Sequence, residues 1–518
     1  MLNEIASDGV AIADPYLISQ ALNDEPETPI VLSVDIGTSG VRAMLFDGRG
    51  NEIESAQVRP ANDLYNALSS GADADPDQLF NHVLEAIDLV LGRSAKTAGV
   101  DLVGISCFWH SLIGVDAAGR GVTPLFGWAD TRAAAAVEQL KVKLDERETH
   151  QRTGCRFHPS YWPAKLLWLQ TERAAKYRSA SRWLSFAEYL QNRLLGQSAM
   201  SISMASGTGL FNQHTCDWDD ALLRELDLVR ERLPPLADSG QTFTTLEHEY
   251  ALRWPALVEA KWFPAIADGA ANNVGSGCVT DEFALLMIGT SGAMRVVQEG
   301  PPPANLPAGL WCYRLDRRRV IVGGALSDGG SVYRWLRESL DLGNSESNIE
   351  SSLAAMEPDA HGLTVLPFWA GERSTGWNAS ARGAILGLHA NTEPLEILRA
   401  AMEGVAYRFA LIAEALQSVS RNGVGKRTIV GTGNALLASP CWTQIVADVL
   451  GQDVHLARTR EASCRGAALM ALESKGKLGD IASLPIAGDR IFIPDMSRHE
   501  KYRAARERQQ QAYDRLFG

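Results

Sequence analysis

The sequence predicts an α/β protein made of two similarly built domains, and three observations carry that expectation. The chain has 518 residues, more than one compact core usually accommodates. Apolar runs of strand length alternate with segments of helical periodicity. The pentapeptide IGTSG occurs twice, at Ile36–Gly40 and at Ile288–Gly292, each time between two apolar runs.

In chain order, residues 1–29 are acidic, lack the charged-then-apolar pattern of a secretion signal, and read as a loose extension. VLSVDI and VRAMLFD read as strands joined by the first IGTSG turn, and DGRGN supplies a second hairpin turn. Asp75-Pro76 is a helix start, followed by Leu79, Val83, Ile87 and Val90 at helical spacing. LVGISCFW is a short buried strand, and helical and mixed sequence runs from about Thr131 to Trp254. From Ile266 the opening pattern restarts with the glycine-rich ADGAANNVGSG, the strand ALLMIGT, the second turn and AMRVVQ. Pro394–Ser420 is a long helix with Leu395, Leu398, Met402, Val405, Phe409, Ile412 and Leu416 as its buried stripe. TIVGTGN reads as strand and glycine turn, and a helix then runs from Ser439-Pro440 to Gly451. The domain boundary is expected near Phe263.

Composition narrows the function. Hydrophobic residues make up 46% and charged residues 21%, as in ordinary globular proteins. A net charge of -13 disfavours a nucleic-acid or anionic-membrane partner, and no apolar run approaches the roughly 20 residues of a membrane span. The seven cysteines form no C-x-x-C pair, so reduced thiols in a cytoplasmic protein are expected rather than disulfides or zinc.

A strand ending in Asp and then Gly-Thr-Ser-Gly offers backbone N–H groups, hydroxyls and a carboxylate in one turn. Those groups suit phosphate oxygens and a water-shelled Mg²⁺ ion. One isolated copy could equally be a plain hairpin turn. Two copies in two similar halves are explained by hairpins that grip a triphosphate from both sides of a cleft.

The segments DIGTSGVR, HSLIGVD with GWADTR, ADGAANN, MIGTSG, GERSTGWNASARGAILGL and the late VGTGN with EASCRGAA follow one another in a recognisable order. By these motifs the chain after about residue 30 resembles the FGGY family of carbohydrate kinases, within the actin/Hsp70-like ATPase superfamily. The branch it most resembles is gluconate kinase, with xylulose kinase next. The resemblance implies two actin-like (ribonuclease H-like) domains, residues 30–263 on the sugar side and 264–518 on the nucleotide side, with ATP and Mg²⁺ in the cleft. It also implies a small sugar or sugar acid as acceptor, with gluconate ahead of xylulose or another ketopentose or polyol, and suggests a homodimer. A non-catalytic actin-like nucleotide sensor is the competing class.

Carried onto this chain, the family pattern implies that Asp35 orients Mg²⁺ through water and that Thr38, Ser39 and Arg42 approach the phosphates. Gly289 and Thr290 complete the clamp, and Gly329, Gly433 and Asn434 line the adenosine site. Arg42 could instead be a solvated strand residue. Asp268 is the implied base, needed because the hydroxyl proton must leave as its oxygen bonds phosphorus; the plain alternative is an Asp-Gly helix cap. His110 is the implied partner of an acceptor hydroxyl, or else a satisfied core histidine. Trp109 stands beside it where the family carries Gln or Met. Trp128, Asp130 and Arg132 offer a stacking face and a charged pair for the sugar, with Arg132 a candidate for an acceptor carboxylate; a structural ion pair is the alternative. Glu372, Arg373 and Trp377 are expected to join the domains behind the sugar site.

Overall fold

The computed structural model describes residues 26–58, 64, 67, 72–93, 99–342, 346–421, 425–457, 461–486 and 488–518. Of the loose extension expected over residues 1–29, residues 1–25 lie outside the described residues.

The first sheet opens with an antiparallel meander of β1 (Val31–Gly37), β2 (Gly40–Phe46) and β3 (Glu52–Val58). Helix α1 (Pro76–Arg93) then crosses over, so that β4 (Leu102–Cys107) lies parallel to β1. Leu79, Val83, Ile87 and Val90 are fully buried on this helix, as their spacing predicts. A long mixed segment follows, including α2 (Trp162–Glu172) and α3 (Phe186–Leu195). The chain returns as β5 (Lys261–Trp262) and β6 (Ile266–Ala267), both parallel to β4. Helix α4 (Asp268–Gly275) begins at once, within the glycine-rich segment.

The second sheet repeats this plan. Strands β7 (Phe283–Ile288) and β8 (Gly292–Glu299) form the second hairpin. After β9 (Trp311–Arg314), strand β10 (Arg319–Leu326) pairs antiparallel with both β9 and β8. Helices α5 (Gly330–Ser339) and α6 (Pro394–Gln417) precede β11 (Thr428–Thr432), which lies parallel to β7 as β4 does to β1. The short helix α7 (Asn434–Ala438) and α8 (Pro440–Leu450) lead to β12 (Val454–Ala457). Helix α9 (Ala462–Ser474), β13 (Gly488–Phe492) and α10 (Met496–Phe517) complete the chain. These are the two like-built α/β halves that the repeated pentapeptide implied.

Two departures from the expectation have local causes. The long helix stops at Gln417 rather than Ser420, and α7 occupies what reads as a bare glycine turn. Helix α9 does not cover the second sheet. It returns to the first, where Cys464, Ala468 and Leu472 pack with Val31, Met44 and Leu102, and Ser33 Oγ donates to the Cys464 carbonyl at 2.7 Å. Its crossing with α4 is backbone on backbone: a Cβ on Gly466 would lie 1.9 Å from the Ala271 carbonyl oxygen, and one on Gly275 1.8 Å from that of Ala462. Only glycine permits this approach. The boundary expected near Phe263 therefore falls within a crossover, with β6 and α9 still attached to the first sheet.

All seven cysteines are free thiols. Among the described residues, no helix is long and apolar enough to cross a membrane.

Candidate active site

The two IGTSG turns occupy equivalent corners of the two sheets. In the first, Thr38 and Ser39 form the loop between paired Gly37 and Gly40; Thr38 is half-buried and Ser39 exposed. In the second, Gly289, Thr290 and Ser291 link Ile288 to Gly292. The second turn is locked to the start of α5. Gly330 N donates to the Gly289 carbonyl at 2.7 Å, and the amides of Gly329 and Ser331 both donate to the Thr290 carbonyl at 3.0 Å. Gly433 closes the same corner at φ 92°, where a Cβ would lie 2.4 Å from the Ile288 carbonyl oxygen. Beside these glycines opens a cavity of about 360 Å³ lined by Gly289, Thr290, Gly330, Tyr333, Asn434 and Trp442, among others. Thus Gly289, Thr290 and Asn434, expected from separate motifs, line one cavity, and Gly329 and Gly433 pack against the Gly289–Thr290 corner that borders it.

At the C-terminal end of β1, Asp35 is buried. It accepts from Ser106 Oγ at 2.7 Å and from Arg42 Nη1 at 3.1 Å. Burial raises its carboxyl above the ordinary range, although Arg42 and Ser106 pull the other way. Arg42 also pairs with Glu461 at 2.8 Å, just before α9, so it is not a solvated strand residue.

Asp268 is the first residue of α4, where the helix dipole favours a negative charge. Its Oδ1 accepts from Gly269 N at 2.7 Å. Burial pushes the carboxyl up to about 6; Arg295 opposes the shift and the neighbouring Asp35 adds to it. A carboxylate in this range is poised to take up a proton near neutral pH. Asp35, near the end of β1, and Asp268, just after β6, thus lie at the ends of two strands that flank β4 in the first sheet. Arg295 reaches Asp268 from β8, its Nη1 3.4 Å from both the Gly269 carbonyl and Asn273 Oδ1, and burial pushes it down to about 10.

On the other side lies an aromatic pocket. His110 has a left-handed backbone, φ 69°, and is buried. Its Nδ1 is 2.6 Å from the Gly207 carbonyl. A carbonyl can only accept, so Nδ1 carries the proton. Burial, aided by Arg373 and Lys165, holds the ring well below its usual pKa and hence neutral. Nε2 therefore keeps a lone pair that can accept from a hydroxyl. Trp109 donates from Nε1 to the Ser203 carbonyl at 3.0 Å and packs 4.9 Å from the ring of Tyr313, which stacks on Trp311 at 4.3 Å. Trp128 faces the second domain, with the Arg373 guanidinium 5.6 Å from its ring centroid.

Asp130 and Arg132 are placed differently from the expectation of a sugar-facing pair. Asp130 accepts from the Arg132 amide, Nε and Nη2 at 3.0, 3.0 and 2.6 Å. Arg132 also pairs with Asp73 at 2.8 Å and lies over the rings of Phe126 and Trp168. Its charge is already matched by two carboxylates, so the geometry favours the structural ion pair. Arg373, expected to be a domain-joining residue, has the opposite character. Its Nε is buried without a hydrogen-bond partner, and among the described residues no carboxylate pairs with it. Its neighbour Glu372 is spent on Arg408 Nη2 and Tyr513 Oη, both at 2.6 Å.

Sequence reasoning did not single out Arg295 or Lys165. Each had a usable signal, a lone cation inside an apolar run (AMRVVQ and AKLLWL), which is where charge is expensive unless something answers it.

Comparison with known proteins agrees with this geometry. Residues 30–275 match the N-terminal domain model of the FGGY family of carbohydrate kinases, and residues 284–474 match its C-terminal domain model. The chain is 28% identical to the gluconokinase of Bacillus subtilis (strain 168) over 461 residues, 87% of this chain and 88% of that one. It is 28% identical to the xylulose kinase of Escherichia coli (strain K12) over 497 residues, 94% and 99% of the two chains. The crystal structure of gluconate kinase from Lactobacillus acidophilus superposes with a TM-score of 0.83 at 25% identity, covering 94% of this chain and 98% of that one. With a duplicated fold, two glycine-rich corners and matching models over both halves, the chain belongs to the FGGY family of carbohydrate kinases and is an enzyme that phosphorylates a small carbohydrate with ATP.

Proposed function

We propose that the acceptor is gluconate and that the product is phosphogluconate, with Asp268 as the base. The observation that carries the catalytic part is the buried Asp268 carboxyl at the start of α4, set beside Asp35 and Arg295 and pushed up to about 6 by burial. In this reading residues 30–263 form the acceptor side and 264–518 the nucleotide side. Thr38, Ser39, Gly289 and Thr290 hold the phosphates, while Gly329, Gly433 and Asn434 border the adenosine. Arg42 acts by fixing Asp35 rather than by touching phosphate.

The donor set fits a hard cation. Asp35 is a buried carboxylate with one partner on each oxygen, and burial disfavours its charge. It would hold Mg²⁺ through water, and the ion would supply positive charge against the phosphates. Asp268 takes the proton from the acceptor hydroxyl. Arg295, beside it, keeps the carboxylate from rising so far that it would stay protonated. His110 Nε2 accepts from a second hydroxyl and orients the acceptor, and Trp109 and Trp128 wall the pocket and exclude water.

Two features support an anionic acceptor. Curated relatives include gluconokinases, and Arg373 is a cation beside Trp128 with no counter-ion among the described residues. A bound carboxylate would supply that counter-ion through charge-assisted hydrogen bonds. A ketopentose is the second reading, favoured by the match to xylulose kinase and by the neutral hydrogen-bond acceptor on His110.

The test is kcat/KM for gluconate, xylulose and ribulose in a coupled ADP assay, repeated in Arg373→Gln and Arg132→Gln. Gluconate should be preferred. Arg373→Gln should cost gluconate on the order of tenfold to a hundredfold more than the ketopentoses. Arg132→Gln should affect all acceptors alike. Absence of gluconate turnover beside good xylulose turnover would transfer the assignment to a ketopentose.

A further inference from the structure

Lys165 lies in the first turn of α2, where the helix dipole disfavours a cation, and its side chain is almost wholly buried. Among the described residues no carboxylate touches it. Instead its three N–H donors each find a backbone carbonyl at 2.8 Å, those of His110, Gly127 and Ser160. These carbonyls belong to three separate loops: the turn after β4 that presents His110, the segment that presents Trp128, and the segment from His158 to Tyr161. The third loop is tied in turn to the second, since Ser160 Oγ donates to the Trp128 carbonyl at 2.6 Å. We propose that Lys165 is a positioning residue for the acceptor pocket, one ammonium group that gathers its three loops and slackens its hold on one of them when it gives up a proton. The inference rests on the reading of His110 and Trp128 as acceptor-side residues, though not on which acceptor is used.

The stoichiometry makes the case. An ammonium has three N–H donors for three carbonyls; a neutral amine has two and turns a lone pair toward the third. Burial pushes the Lys165 ammonium down to about 7, with Asp130 supporting its charge and Arg132 opposing it. The histidines on the tied loops do not titrate in this range, since burial holds His110 well below its usual value and pushes His158 down to about 3. Glu188, on α3, is raised by burial to about 7 and also titrates here, while Asp268, pushed up to about 6, is already ionised above pH 7. It caps its own helix through Ser185 and makes no bond to the three loops. As a folded-state value below the ordinary lysine range, the Lys165 shift disfavours the charged form. The bonded ammonium is complete below about pH 7 and fades above it.

The experiment measures KM for the acceptor and for ATP from about pH 6 to about pH 9, using whichever of gluconate, xylulose or ribulose is turned over. Wild type, Lys165→Met, Lys165→Arg and His110→Gln are compared. In wild type the acceptor KM should rise above about pH 7 while the ATP KM stays level. Lys165→Met should raise the acceptor KM roughly tenfold at every pH, with kcat and ATP KM within about threefold of wild type. Lys165→Arg, which stays charged, should abolish the pH dependence of the acceptor KM. A level wild-type profile, a profile that persists in Lys165→Arg and so points to Glu188, or equal changes in both KM values would overturn the proposal. If Lys165→Met fails to fold, the comparison of wild type with Lys165→Arg still decides. An acceptor KM untouched by His110→Gln would instead displace the acceptor pocket itself, which separates that failure from failure of the Lys165 role.

Discussion

Asp268 is held in a condition that costs stability. Burial pushes its carboxyl up to about 6 from an ordinary 3.8. A raised carboxyl means that folding favours the protonated form. The associated stability is complete below about pH 4 and is lost as pH rises through about 6. Asp268→Asn, which carries no charge, should therefore be more stable than wild type by on the order of 1–3 kcal/mol near pH 7. It should be nearly equal to wild type near pH 4. Thermal unfolding at both pH values checks this, and an unchanged difference between them would show that the carboxylate is not strained by its surroundings. The residues that carry chemistry were unevenly legible in the sequence. Asp268 and His110 stand at strand ends inside spaced motifs, so they could be named. Arg295 and Lys165 could not be assigned roles, because periodicity says that a cation lies on a buried face but not which carbonyl or carboxylate from a distant segment meets it. Arg132 looked free for a ligand for the same reason: its second partner, Asp73, lies far back in the chain.

At the scale of elements, the two hairpins and the α4–α9 crossing determine the site. If both turns hold one triphosphate, Thr38→Val and Thr290→Val should each raise the ATP KM while shifting the acceptor KM less; an ATP KM unaltered in either folded variant would remove that turn from the clamp. The crossing can be tested separately. Gly466→Ala would place a methyl 1.9 Å from the Ala271 carbonyl, so α4 must move, at a cost of about 1–3 kcal/mol or more. Because α4 begins with Asp268, kcat should fall beyond what the loss of folded protein explains, and melting temperature measured beside kcat separates the two. A stable Gly466→Ala variant with full kcat would mean that the crossing does not position Asp268. The hairpins were visible in the sequence because the same five-residue turn, set twice between apolar runs, marks a duplicated strand–turn–strand unit. The docking of α9 was not. Its sequence is apolar on nearly every side, which marks it as buried without saying against which sheet, and only the contact of Cys464 and Ala468 with the first sheet answers that. The five residues of α7 are too few for periodicity to register.

At the scale of the whole molecule, the two halves are joined through β9. Behind the acceptor pocket, Tyr161 Oη lies 2.5 Å from Tyr313 Oη, Cys312 N donates to the Gly154 carbonyl at 3.0 Å, and Arg314 Nε donates to the Gln213 carbonyl at 2.9 Å. Strand β9 thereby anchors the second domain to the first. In the proposed reading, movement about this join would bring the nucleotide side to the acceptor and exclude water. The central claim is that Asp268 removes the acceptor proton within this cleft. The measurement that tests it most directly is acceptor-dependent ADP formation as a function of pH in wild type and Asp268→Asn, with ATP binding followed in parallel. The account predicts a wild-type kcat that rises through about pH 6 and a loss in Asp268→Asn on the order of 10² or more, with ATP binding nearly unchanged. Wild-type turnover in a folded Asp268→Asn protein, with the same rise through about pH 6, would contradict it.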